Sequence, residues 1–225
     1  MDNATDWVVS NGQYALDFDG LNDHVSFTET RLPTLGVSSV FSASAWIFLP
    51  SLPSGRREIM PTPTIGLGQF GAQLEIDDGR LRIRADNGGV AAYTFVDLLQ
   101  VAAGQWVHAG GTWNGVTKTA TLYKNGSTAG SVSYAANTAS DTVGNTWTWG
   151  ALQYGGSLFF FMQGAIAEVS IHSRLLSEND FQALHAIGPG GMYQRRRRRA
   201  IYLPQAGFQA AWARGSNVML GFNQP

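Results

Sequence analysis

GQWVHAGGTWNGVTKTATLYKNGSTAGS, residues 104–131, decides the architecture. Its second half runs TKTATLYK (117–124), then Asn125-Gly126, then a further polar-apolar stretch, STAGSVSY (127–134). Asn-Gly is the strongest short signal for a two-residue hairpin, because both central residues tolerate the positive φ that matches the turn to the right-handed twist of its strands. The stretch therefore specifies two antiparallel strands joined tightly.

The same grammar extends in both directions. Upstream, Ala72-Gln73-Leu74-Glu75-Ile76 and Arg80-Leu81-Arg82-Ile83-Arg84 flank Asp77-Asp78-Gly79. Leu81 and Ile83 alternate with three arginines, so this too is a hairpin with one apolar face. Leu16 and Phe18 alternate with Asp17 and Asp19, Gly20 turns the chain, and Val25 and Phe27 face inward. In FSASAWIFL (41–49), Phe41, Ala43, Ala45, Ile47 and Leu49 share one face and Trp46 and Phe48 the other. Residues 50–66 contain the proline-rich PSLPSGRREIMPTPT and are expected to form a loop or flap.

Downstream, Trp147–Gly150, Leu158–Met162 and Ala165–His172 supply late strands. One short helix is expected over Ser177–Ala186, with Ser177 as its N-cap, Asp180 three residues on, and Phe181 and Leu184 on one face. Gly188–Gln194 then breaks the pattern. About a dozen short strands and one late helix predict an all-β sandwich over residues 1–187, followed by an extended C-terminal arm, 188–225.

Composition agrees. The 225-residue chain has 27 glycines, abundant aromatics, few charges and no cysteine, which excludes disulfides, thiolate metal sites and cysteine nucleophiles. No apolar run is long enough to span a membrane, and the first residues do not read as a secretory signal. The near-neutral total hides an asymmetry. Residues 1–187 hold nine Lys+Arg against sixteen Asp+Glu, whereas 188–225 hold six arginines and no acid. An acidic body with a basic arm suggests that the arm meets something acidic.

Four stretches, ALDFDGLNDHVSF (15–27), FSASAWIFLP (41–50), residues 104–131 and QGAIAEVSIHSRLLSENDFQAL (163–184), together resemble the laminin-G/concanavalin A-like jelly-roll family. The resemblance covers roughly residues 10–186 and implies a jelly-roll β-sandwich. It implies little about ligand, since that family spans lectins, adhesion modules, glycosidase-like enzymes and virion proteins. Trp106 and Trp113 fall in the motif and are expected in the core. The arm, an Arg run followed by IYLP and AGFQAAWARGSNVMLG, resembles C-terminal ends of phage structural proteins.

Candidate chemistry is sparse. Retaining glucanases of this fold resemble a pattern of three carboxylates on one strand. The best match here, Glu75-Ile76-Asp77-Asp78-Gly79-Arg80, places Arg80 at the third position and a turn in the middle. His24, His108, His172 and His185 lack a nucleophile motif. The chain is therefore expected not to be an enzyme and to need no cofactor. Asp19, Asn22 and Asp23 carry oxygens suited to calcium. The resemblance, however, implies an Asp in the late strand where this chain has Ala167, so no metal is expected.

Trp147 and Trp149 share a strand face and are candidates for stacking on a sugar ring, with core packing as the alternative. Arg195, Arg196, Arg197, Arg198 and Arg199 run into Ile201, Tyr202 and Leu203, then Phe208 and Trp212. Apolar residues after a basic run favour docking on an acidic protein surface over nucleic-acid binding. The expectation is a virion structural protein, a capsid-decoration or fibre-associated component. It would dock on other virion proteins through this arm and assemble as a homo-oligomer, with a trimer the guess from that role. The alternative is a lectin-like module that recognises host surface glycans.

Overall fold

The computed structural model describes residues 7–10, 13–28, 39–61, 71–86, 93–134 and 146–189. The strands are β1 (Trp7–Ser10), β2 (Gln13–Asp19), β3 (Val25–Thr28), β4 (Val40–Phe48) and β5 (Arg56–Pro61). They continue as β6 (Gly71–Asp77), β7 (Arg80–Asp86), β8 (Tyr93–Gln100), β9 (Trp106–Asn114) and β10 (Thr119–Lys124). Then come β11 (Ser127–Ser133), β12 (Thr146–Trp149), β13 (Leu152–Tyr154), β14 (Ser157–Phe159) and β15 (Gln163–His172), and the helix α1 (Glu178–Ile187).

One layer is a seven-stranded antiparallel sheet in the order β1-β2-β15-β4-β9-β10-β11. The other combines the four-stranded sheet β5-β6-β7-β8 with the pair β12-β3. Backbone bonds tie these pieces together: Gly150 N–H donates to Ile59 O at 3.2 Å and Glu58 N–H to Phe160 O at 2.9 Å. The small hairpin β13-β14 lies at that junction.

Alternation sorts the side chains as the sequence implied. Phe41, Ala43, Ala45 and Ile47 of β4, Leu74 and Ile76 of β6, and Leu81 and Ile83 of β7 meet in one core between the layers. Trp113 sits at its centre, stacked on Phe41 with centroids 4.7 Å apart, and its indole N–H donates to Arg84 O at 3.0 Å. The partner satisfies the polar end of a large apolar ring. Trp106 departs from expectation. It is half-buried against Phe48 on the outer side of the seven-stranded sheet, with centroids 5.6 Å apart.

That outer side is also roofed. Ser42 Oγ donates to Arg174 O and accepts from Leu176 N–H, both at 2.8 Å, and so pins the segment entering α1. Adjacent glycines of β9 serve the two sides separately. A Cβ on Gly110 would lie 2.4 Å from the Phe181 ring, and one on Gly111 would lie 2.7 Å from Ile83 and Trp113. Either contact is closer than packed carbon atoms tolerate.

Both anticipated hairpins form. Asn125 and Gly126 have φ of 51° and 84°, and Asp78 and Gly79 have 48° and 74°. The helix begins as expected: Ser177 Oγ accepts from Asp180 N–H while the Asp180 carboxylate accepts from Ser177 N–H, a reciprocal capping box. The proline-rich stretch 50–66 is a correction. Arg56–Pro61 within it is a strand of the second layer, with Ile59 and Met60 fully buried. Pro50 and Pro53 precede the strand and Pro61 is its last residue, so none interrupts its interior, and the apolar Ile-Met pair supplies the burial that draws it in.

Candidate functional site

The outer face of β5-β6-β7 is where the chain concentrates charge. Glu58 and Glu75 lie directly opposite each other across the β5–β6 ladder. Both are buried, with 0% and 2% exposure, as is Gln73 at 1%. Arg56 holds them together. Its guanidinium pairs with Glu58, its Nε lies 2.7 Å from Glu75 Oε2, and it donates to Gln73 Oε1 at 2.7 Å. Arg82 pairs with Asp77 beside them.

Burial, opposed by Arg56 and reinforced by the neighbouring Glu75 charge, pushes the Glu58 carboxyl up to about 8. Glu58 is therefore largely a neutral acid at neutral pH, and Arg56 bridges it to Glu75. Glu58 Oε2 has no hydrogen-bond partner. This cluster was legible only as alternating arginines and turn acids. The pairing of Glu58 with Glu75 needed β5 to be recognised as a strand.

Aromatic rings border this cluster. Phe160 places its ring 4.4 Å above the Arg56 guanidinium carbon, and its carbonyl accepts from Glu58 N–H. Its φ is +56°, a left-handed conformation unusual for an aromatic residue and costing on the order of 1–3 kcal/mol. Phe159 follows at a centroid distance of 6.2 Å. Phe159, Phe160 and Tyr154 are 44%, 39% and 38% exposed. Phe159 and Phe160 are thus adjacent partly exposed rings, the second set over a cation, and Tyr154 lies on the β13-β14 hairpin that leads into them.

The tryptophans proposed for sugar stacking lie elsewhere. Trp147 is 1% exposed and belongs to the central core, so it presents no face to a ligand. Trp149 is half-buried on the same side, edge-on to Phe27 at 4.8 Å and 68°. The shared face of these two residues is the core-facing one, because β12 forms part of a layer rather than an exposed rim.

The acidic turn after β2 is self-satisfied. Asp19 Oδ1 accepts from Leu21 N–H at 2.7 Å and Asn22 N–H at 3.2 Å, and Asp23 Oδ2 accepts from Asp19 N–H at 3.0 Å. These donors, Leu21 first, hold the Asp19 carboxyl below the usual carboxylate range. Among the described residues no group of three or more His, Asp or Glu is placed to hold a metal.

Two of the histidines, His108 and His185 of α1, are neighbours, and His172 is bonded elsewhere. His108 is buried beneath α1, 5.1 Å from Trp46, 5.9 Å from His185 and 6.5 Å from Phe181 by centroid, and burial pushes it down to about 4. His172 Nε2 contacts Ser170 Oγ at 3.2 Å, and that hydroxyl lies 2.9 Å from Ser44 Oγ, a link between neighbouring strands. The arm residues Arg195–Arg199, Ile201, Tyr202, Leu203, Phe208 and Trp212 lie outside the described residues.

Solved structures share this architecture. The CBM40 of the IT-sialidase of Ruminococcus gnavus, bound to alpha2,3 sialyllactose, matches with a TM-score of 0.61 at 11% identity, over 76% of this chain and 96% of that one. Domain 4 of AbnA, a GH43 extracellular arabinanase from Geobacillus stearothermophilus in complex with arabinotriose, matches at 0.58 and 16% identity over 80% of each chain. The binding domain of Paraclostridial Mosquitocidal Protein 1 matches at 0.59 and 17% identity, over 80% of this chain and 44% of that one. These identities establish a common fold alone. No curated protein matches the sequence. A family profile described as the concanavalin A-like lectin/glucanases superfamily matches residues 18–182. With its two facing sheets, late helix and laminin-G-type motifs in order, the chain belongs to the concanavalin A-like lectin/glucanase superfamily.

Proposed function

We propose that the protein is a non-catalytic carbohydrate-binding adhesion module. It reads glycans through the platform formed by Tyr154, Phe159 and Phe160 beside Arg56. The observation that carries this reading is Phe160: an exposed aromatic held at positive φ with its ring fixed over a guanidinium. A rigid exposed ring stacks on the apolar face of a sugar at little entropic cost. Fold neighbours that hold sialyllactose or arabinotriose add support. Burial and ion pairing of the Glu58–Glu75 pair favour binding over hydrolysis, since a substrate would have to displace Arg56 to reach either carboxyl.

A glycan array probed with the full chain tests the reading. Binding to at least one glycan class, weakened roughly tenfold by Phe160→Ala and by Phe159→Ala, is the expected result. Silence across the array would overturn it. Hydrolysis of a β-glucan by the purified protein, abolished by Glu75→Gln, would replace it with an enzyme.

A second reading rests on the charge split of the sequence, the acid-free arm of six arginines behind an acidic body. In this reading residues 188–225 dock on acidic surfaces of other virion proteins, such as capsid or fibre components, and the sandwich is what they display. Truncation after Ile187 separates the two. Loss of particle association with retained glycan binding assigns docking to the arm and recognition to the sandwich.

A further inference from the structure

Arg56 and Glu58 lie two residues apart on β5, and between them they hold Phe160. The Glu58 backbone N–H donates to the Phe160 carbonyl at 2.9 Å, and the Phe160 ring centroid lies 4.4 Å from the Arg56 guanidinium carbon. The cation that carries the ring is itself clamped from below. Arg56 Nε donates to Glu58 Oε1 at 2.8 Å and lies 2.7 Å from Glu75 Oε2, while Arg56 Nη2 donates to Gln73 Oε1 at 2.7 Å. Glu58, Gln73 and Glu75 are buried, so none of them meets a ligand; the Phe160 ring is what this cluster presents to the surface. A change of charge below can therefore be felt above.

We infer that Arg56 and Glu58 are positioning residues for the aromatic platform: the charge on Glu58, relayed through the Arg56 guanidinium, sets how firmly the Phe160 ring is held and so how tightly the platform binds a glycan. This rests on the glycan reading and names what regulates that site. A ring face is attracted by the unbalanced positive charge of a guanidinium. Ionisation of Glu58 places a negative charge against Arg56 and weakens that attraction. On the same face, β6 brings Glu75 opposite Glu58, and Asp77, which pairs with Arg82. β7 brings Arg82 opposite Glu75 and Arg84 opposite Gln73. Arg57 on the same strand donates to the Arg56 carbonyl, β12 has no ionisable residue, and β13 contributes Tyr154. Burial raises the Glu58 carboxyl most, Arg56 and Arg84 oppose it, and Glu75 adds to it, with the result at about 8. The ring is therefore held best below that pH and less firmly above it.

The test needs no ligand at first. The ring signals of Phe160 in the full chain, assigned from Phe160→Leu, are followed by NMR from about pH 6 to about pH 9.5. They are expected to shift with a midpoint near 8 and to stay level in Glu58→Gln. Arg56→Lys should shrink the shift, because a point charge lacks the fork that spans carboxylate and ring. A glycan array is then probed with the full chain at the two ends of that range. Binding is expected to be roughly threefold weaker at the alkaline end, the value of one cation–π contact, and the difference should vanish in Glu58→Gln. The inference is overturned if the ring signals do not titrate, if Glu58→Gln or Arg56→Lys titrates as the parent does, or if glycans bind equally at both ends. Silence across the array at both ends sinks the glycan reading and the affinity claim with it, while the ring signals alone decide the relay.

Discussion

Glu58 concentrates the energetic tension of the molecule in one side chain. Its folded-state affinity for a proton lies far above its ordinary value, 4.5 moved to about 8, because the charged form is desolvated and faces Glu75. The folded state thus binds the proton more tightly than the unfolded chain does. Its contribution to stability is whole below pH 4.5 and is lost as pH rises through about 8. Melting temperature is therefore expected to fall from pH 5 to pH 9. Glu58→Gln, which keeps the shape and removes the titration, should flatten that decline, and a series of thermal melts measures both slopes. Gly110 provides the steric counterpart. Gly110→Ala drives a methyl group into the Phe181 ring and should cost about 1–3 kcal/mol in urea unfolding, because neither the sheet nor the capped helix can yield.

At the level of elements, α1 is the piece whose attachment depends most on a few contacts. Phe181 stacks on Tyr123 at 4.0 Å, and His185 stacks on Trp46 at 5.1 Å. Its N-terminus is closed by the Ser177–Asp180 box, and Asp180 is further clasped by Arg174 at 3.1 and 3.2 Å. Ser177→Ala should cost about 1 kcal/mol by chemical denaturation, since one orphan N–H loses its acceptor. His108 beneath the helix makes the docking pH-dependent. Its proton affinity is lowered from 6.5 to about 4, so the folded state prefers it neutral. That contribution is complete above pH 6.5 and disappears as pH falls toward 4. Hydrogen exchange of α1 amides is expected to accelerate over this interval ahead of the core strands, and to do so less in His108→Asn.

On the scale of the whole molecule, the sandwich and the arm carry opposite charge. Among the described residues, the buried core cluster runs from Phe18 to Ile166. Residues 1–187 alone should therefore unfold cooperatively, with a melting temperature within a few degrees of the full chain. On the proposed reading, they should keep any glycan binding of the full chain, and without the six arginines they should be retained less on an acidic matrix at low salt. Calorimetry and ion-exchange retention at two salt concentrations check this pair of outcomes.

Strand alternation, the Asn-Gly and Asp-Gly turns and the Ser177 cap are local matters, settled by φ preference and a periodicity of two, and so the fold class and the helix were readable from sequence alone. Residues 104–131 and 163–184 carry the β-sandwich signature in their alternation and turn residues alone. What lay between elements could not be read. Arg56–Pro61 joined a sheet because Ile59 and Met60 had a core to enter, which no local preference in a proline-rich stretch reveals. Trp147 and Trp149 share a face in either medium, and only the opposing sheet decides whether that face meets water. The pairing of Glu58 with Glu75, and the left-handed Phe160 above Arg56, follow from strands brought together across the chain. Burial and desolvation there are properties of the packed layers, not of the residues that supply the charges.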